Sequence, residues 1–436
     1  MSLRNAGSPS SLGRSLVLCS LFWLVLANLV GLLLSLLLSF PDVGDLISPL
    51  TYGRWVPLHL NFHLYGWCSL PLVGLLYRWY FPVRYWSSTT SSWTLGLWSL
   101  ALFFGGLAWL SGDSSGKIFL DWKGTSEIFF LTALTVLWIQ LASGFREQLC
   151  ETRAKKEKLS VRMSKTILLC ILAAVPVVFL WVLNPGIFPP INLATSGATG
   201  ASLLVSSLAV VGIFLALPVV LALSTDNPRA AVLLFGLLGV HFLLWSLISH
   251  GNSTHREPGQ IAAVFSLLIW APALWWHYRQ FNWSPESLRW RVSSGIFGIA
   301  LVITAVIMFL PGILDKVKFS QYLVAHVHLA MGGMVSSFLF VILIELPVSR
   351  VVREKLSTAC TIWIWHLGIC LQLVALILLG CLELRNFGIN RSMNGNEFFL
   401  QLLRFFGGAA MTYCSLKWLI TCAGNNATRK LASVGE

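Results

Sequence analysis

Charge is what this chain has least of. Asp, Glu, Lys and Arg supply 11% of its 436 residues against 56% hydrophobic types, and the mean hydropathy is +0.76. That balance excludes a water-soluble domain of this length and leaves an integral membrane protein. The nine cysteines never form Cys-x-x-Cys. A covalent c-type haem, which needs Cys-x-x-Cys-His, is therefore excluded. A glycine-rich phosphate loop, a His-Glu-x-x-His helix and a serine nucleophile elbow are missing too. No internal repeat suggests a transporter built from two halves.

What is present is apolar sequence in lengths that cross a bilayer. About twelve such stretches lie near 15–40, 56–80, 91–111, 125–145, 166–184, 198–224, 230–249, 258–278, 290–311, 320–347, 358–382 and 397–420, each close to the roughly 20 residues a spanning helix needs. The first is too long for a signal-peptide core and more follow it, so it reads as a helix that stays. The joints are short and leave no room for a sizeable soluble domain. The expectation is an all-α membrane protein, a single transmembrane domain over 1–436 packed as one helical bundle. With the N-terminus inside, 21 of the 30 Lys and Arg fall on the inner side and 8 on the outer, with Arg404 inside the last span. This bias predicts both termini in the cytoplasm. It also accounts for the +13 net charge as a solvated rim, so nucleic acid is not implied.

Against that apolar background the histidines stand out. Span two, "VPLHLNFHLYGWCSL", carries His59 and His63; span ten, "QYLVAHVHLAMGGMV", carries His326 and His328. Residues two apart on a helix point about 200° from each other. His326 and His328 therefore face opposite sides of one helix and cannot easily serve one metal, but they can serve two cofactors, one on each side. Span seven ends at His250, so three distant segments bring imidazoles to the outer level of the membrane. A single membrane histidine is as readily a hydrogen-bonded packing residue as a ligand; shared depth and the His-x-His spacing favour ligands. Arg404, a guanidinium in the outer half of span twelve, calls for an anionic partner such as a haem propionate. It can also be read as an arginine reaching the interface. Glu127, Glu383 and Glu345 near span ends read as boundary residues, and Trp275, Trp276, Trp363 and Trp365 as belt or packing.

These segments resemble the haem-copper oxidase catalytic subunits, especially the C-type (cbb) oxidases and nitric oxide reductases. "HLN" in span two is similar to that family's second helix, and "AHVHLAMGGMV" to its tenth. "AVFSLLIWAPALWW", "IWIWHLGICLQL" and "LLRFFGGAAMTY" are similar to its eighth, eleventh and twelfth, in order, from about residue 55 onward. The resemblance implies two non-covalent haems, b-type or similar. His59 and His328 would be the axial ligands of a low-spin haem, with His63 the alternative to His59, and His326 the proximal ligand of a high-spin haem. It also implies a cytochrome c-type or cupredoxin donor subunit, a small gas as substrate or ligand, and a bacterial-type inner membrane as location.

The departures from the family are equally specific. Its oxidases hold a copper through one His on span six and a His-His pair on span seven, with a nearby Tyr. Here 198–224 contains no His, Cys, Asp or Glu, and no Tyr lies between Tyr85 and Tyr278. His250, with His241 and His255, is the weak remainder of a copper site, too few for a metal that favours several nitrogen ligands. Two readings follow. In one, the chain is an oxidoreductase subunit that passes electrons through a bis-His haem to a second haem reducing dioxygen or nitric oxide. In the other, it is a non-catalytic electron-transfer or gas-sensing subunit that has lost the copper.

Overall fold

A computed structural model describes residues 11–81, 92–150, 159–184, 186–187, 200–225, 227–250, 254–385 and 395–424. Among these, twelve helices reach spanning length and no strand forms beyond an isolated bridge between Thr225 and Phe281. They are α1 (Ser11–Ser39), α2 (52–80), α3 (Ser92–Ser111), α4 (Thr125–Cys150), α5 (Leu159–Leu183) and α6 (Gly200–Val220), followed by α7 (Pro228–Ser246), α8 (Pro258–Arg279), α9 (Pro285–Met308), α10 (Gln321–Glu345), α11 (Ala359–Arg385) and α12 (Gly395–Ala423). The chain is an all-helical, multi-pass membrane protein. Ten candidate spans are apolar enough to cross a membrane by composition alone. The two long helices outside that set, α2 and α12, are those with Arg54, His59, Asn61 and His63, and with Glu397, Gln401, Arg404 and Lys417. Polarity in a spanning helix needs a use.

Helix starts follow ordinary chemistry. Pro228, Pro258 and Pro285 occupy first-turn positions where their missing N–H costs nothing. Asn227 and Ser320 cap α7 and α10 by accepting from the amides of Ala230 and Tyr322. α5 begins at Leu159, seven residues before the apolar stretch that foretold it. The added turns carry Arg162 and Lys165, the latter buried and donating from Nζ to Gln148 Oε1 at 2.9 Å.

The chain forms two compact units. One contains α1 to α5, the 342–358 segment and the second half of α12. Its core holds Trp67, Trp109, Trp122, Tyr77 and Tyr80, all essentially inaccessible. Glycines let helices approach: a Cβ on Gly74 would meet Leu346 at 2.8 Å and Leu16 at 3.3 Å. Cations close helix ends, where carbonyls lack partners. Lys117 Nζ donates to the carbonyls of Val182, Leu183 and Asn184 at 2.5, 3.0 and 3.3 Å, and Lys355 Nζ to that of Thr421.

The other unit contains α6 to α9, α10 as far as Val341, α11 and the first half of α12. Leu204, Leu208, Leu215, Leu234, Leu238, Leu267 and Trp270 form one apolar cluster. Stacked rings, Trp290 on Phe340 and Phe214 on Phe338, with centroids 4.2 and 3.9 Å apart, fix α9 and α6 against α10.

Candidate functional site

The two histidine-bearing helices share a local device. α2 is α-helical through Asn61 and then widens to a π-helical turn over Phe62–Cys68. α10 is α-helical through His328 and widens over Leu329–Val335. Such turns are rare and concentrate at functional sites. The register to the histidine is the same in both: a glycine follows seven residues on (Gly66, Gly333) and a serine ten residues on (Ser69, Ser336) from His59 and His326. Each serine hydroxyl donates back five residues, Ser69 to Leu64 O at 2.8 Å and Ser336 to Met331 O at 2.7 Å. Each glycine admits an aromatic side chain, Trp23 against Gly66 and Phe297 against Gly333.

His59 is positioned by α1. Its Nδ1 lies 2.8 Å from the Ala27 carbonyl. A carbonyl only accepts, so Nδ1 carries the proton and Nε2 of the neutral ring is the unprotonated nitrogen. One turn beyond Ala27, Gly31 makes room for the ring: a Cβ there would stand 2.5 Å from Cε1 and 3.0 Å from Nδ1. His63 lies one turn on, its ring centroid 4.8 Å from that of His59, edge to face. Asn61 does structural work. Its amide donates to the Asp121 carboxylate at 2.9 Å and to Pro57 O at 2.8 Å. Asp121, itself buried, also accepts from Ser114.

In the other unit, His326 and His328 diverge as the helical spacing requires. His326 Nδ1 lies 2.9 Å from Thr304 Oγ1 on α9. The Thr304 hydroxyl also reaches the carbonyls of Ala300 and Leu301, both at 3.0 Å; with its single proton on either of them it accepts from Nδ1 of His326, and with that proton turned to Nδ1 it donates. His328 Nδ1 lies 2.8 Å from Val324 O in its own helix. His59 and His328, each against a carbonyl, therefore hold their proton on Nδ1, and His326 does the same when Thr304 accepts. A metal-bound histidine needs this arrangement, since a partner on the second nitrogen fixes tautomer and ring orientation. The residues fit axial ligation of haem. Arg404, on α12, is buried at 9% exposure, as a guanidinium serving a buried anion must be.

The remaining histidines are differently engaged. Trp270 Nε1 donates to His241 Nδ1 at 3.0 Å, which puts the ring proton on Nε2, 2.7 Å from Ser266 Oγ. Ser266 passes its own proton to Ala263 O at 2.6 Å. Both nitrogens of His241 are therefore used within the protein. His250 is exposed with its ring against Trp245, while the adjacent 251–253 fall outside the described residues. His255 Nε2 sits 3.1 Å from Asp315. His277, fully buried, has Nε2 3.1 Å from Leu215 O, and His366 is ringed by Trp290, Phe297 and Trp363. Among the described residues no three His, Cys, Asp or Glu side chains gather as a metal site. These donors do not fit a three-nitrogen copper centre.

Sequence reasoning named the histidines but missed Ala27, Gly31, Thr304 and the wide turns. The repeated spacing of His, Gly and Ser was the available signal for the turns.

No family model matches the chain, and no curated protein matches it. Among solved structures it is similar to a haem-copper terminal oxidase dimer determined by cryo-electron microscopy, with a TM-score of 0.58 and 13% identity, over 95% of this chain and 84% of that one. The chain has a haem-copper oxidase-like fold.

Proposed function

We propose that this protein is the haem-bearing membrane subunit of an oxidoreductase related to terminal oxidases, with 1–436 acting as one transmembrane domain and both termini cytoplasmic. We assign His59 and His328 as low-spin haem ligands, His326 as the ligand of a high-spin haem, and Arg404 as the partner of a propionate. The observation that supports the reading is a shared contact: three imidazoles, each with Nδ1 2.8–2.9 Å from an oxygen that can accept its proton and so leave Nε2 to a metal. Haem supplies one-electron chemistry and, where an axial position stays open, a place for a small gas. The residues of the chain orient the rings, fix the proton on Nδ1 and exclude water. The donor is a cytochrome c-type or cupredoxin subunit, and the location a bacterial-type inner membrane.

The engagement of His241 by Ser266 and Trp270 favours the second reading, a haem protein for electron transfer or gas binding without copper. Reduced-minus-oxidised spectra and metal analysis of the purified protein test both. Iron should be present without stoichiometric copper. His59→Ala should abolish the sharp low-spin band, and His326→Ala the carbon monoxide response. A low-spin band surviving His59→Ala but lost in His63→Ala would move the ligand by one turn. A copper-to-protein ratio near one, lost in His250→Ala, would restore the ordinary oxidase reading.

A further inference from the structure

Thr304 lies on α9, 22 residues from His326, yet its hydroxyl oxygen stands 2.9 Å from Nδ1 of that ring, the nitrogen that would be left to the protein if Nε2 held a metal. The group on that nitrogen sets how much electron density the ring gives the metal. A carboxylate acceptor draws the Nδ1 proton and moves the ring toward imidazolate. A hydroxyl is neutral, and a His326 that ligates through Nε2 carries its proton on Nδ1; with its own proton on Ala300 O or Leu301 O, each 3.0 Å away, Thr304 then accepts a hydrogen bond without removing that proton.

Resting on the reading of His326 as a haem ligand, we infer that Thr304 is a positioning residue that holds His326 as a neutral, correctly turned imidazole, and that the iron ligated there is set to bind a neutral diatomic gas reversibly rather than to split dioxygen. Breaking the O–O bond draws electrons either from a strongly donating axial ligand or from a second redox centre beside the iron. Thr304 withholds the first. The second lacks its ligands, because 200–220 offers no metal-binding side chain and the ring of His241 is spent on Ser266 and Trp270. The site is therefore chemically suited to carbon monoxide, nitric oxide or dioxygen as bound ligands.

The test uses the full-length protein purified with its haem, and the Thr304→Val, Thr304→Ser and Thr304→Asp variants. The readouts are the ferrous iron–imidazole stretching band, the midpoint potential of the carbon monoxide-binding haem, and oxygen uptake with an artificial reductant. In Thr304→Val the band should broaden and move to lower wavenumber and the potential rise, because the acceptor is gone. Thr304→Ser should restore both, whereas a role confined to packing would not be rescued by a smaller hydroxyl. Thr304→Asp should move band and potential the opposite way. The unmodified protein should bind carbon monoxide reversibly and show no sustained oxygen uptake. Band and potential unchanged in Thr304→Val, with the carbon monoxide response lost in His326→Ala, would overturn this inference alone. Sustained reduction of oxygen to water would overturn its second half. A carbon monoxide response intact in His326→Ala would overturn the ligand reading beneath it.

Discussion

Replacing Gly31 with alanine places a methyl carbon 2.5 Å from Cε1 of His59, 3.0 Å from Nδ1 and 3.4 Å from Nε2. Carbon atoms in contact settle at about 3.5–4.0 Å, so the ring must retreat by roughly 1 Å or turn out of plane. Either movement stretches the 2.8 Å bond from Nδ1 to Ala27 O beyond the ~3.2 Å range of a useful N–H···O contact. The stability cost is small, because two effects oppose each other. Alanine favours the helix over glycine by about 0.5–1 kcal/mol, while overpacking costs about 1–3 kcal/mol. The net loss of about 0–2.5 kcal/mol leaves the fold intact. Disturbing a group that orients a ligand costs about 10–100-fold in metal affinity. Haem titration of Gly31→Ala should thus show weakened or lost low-spin absorbance with helical circular dichroism unchanged. Gly96→Ala is the matched control, since a Cβ at Gly96 meets nothing within 4 Å, and it should bind haem as the unmodified protein does. Wild-type low-spin absorbance and haem affinity in Gly31→Ala would refute the notch as a determinant of His59.

Three further outcomes follow from the contacts described. Asn61→Leu removes a donor from the buried Asp121 carboxylate and should lower stability by about 1.5–3 kcal/mol, seen as an earlier thermal transition in detergent; an unchanged transition would show that Ser114 alone satisfies the carboxylate. His241→Phe strands Trp270 Nε1 and should cost about 1–3 kcal/mol without changing iron content, whereas a loss of bound metal would identify His241 as a ligand. Burial raises the Asp315 carboxyl, but the hydrogen bonds and charges of Arg256 and His255 outweigh it and hold it below its ordinary value, with Lys318 3.5 Å away. Its contribution to stability is therefore complete above the ordinary carboxylate range and is lost as pH falls through the lowered value; Asp315→Asn should be less stable at neutral pH with a flatter acid limb, and an unaltered limb would refute this.

The positions of the long helices were legible because apolar length is a local property: about twelve apolar stretches became twelve long helices among the described residues, ten of them apolar enough to cross a membrane by composition. The divergence of His326 and His328 was legible for the same reason, since about 100° per residue needs no tertiary information. The partner of His328 is local, four residues back in its own helix, but tertiary structure decided what stands beside the rings of His59, His326 and His241. Ala27 lies 32 residues from His59 and Thr304 lies 22 from His326, and no periodicity links them. His241 shows the limit most clearly. In sequence it is a membrane histidine, as eligible as His326. Only the packing of α7 against α8, which brings Ser266 and Trp270 to its two nitrogens, spends the lone pair a metal would need. A histidine's residue type sets that it can ligate. Whether Nε2 keeps a lone pair depends on which oxygen or N–H a neighbouring helix places beside the ring.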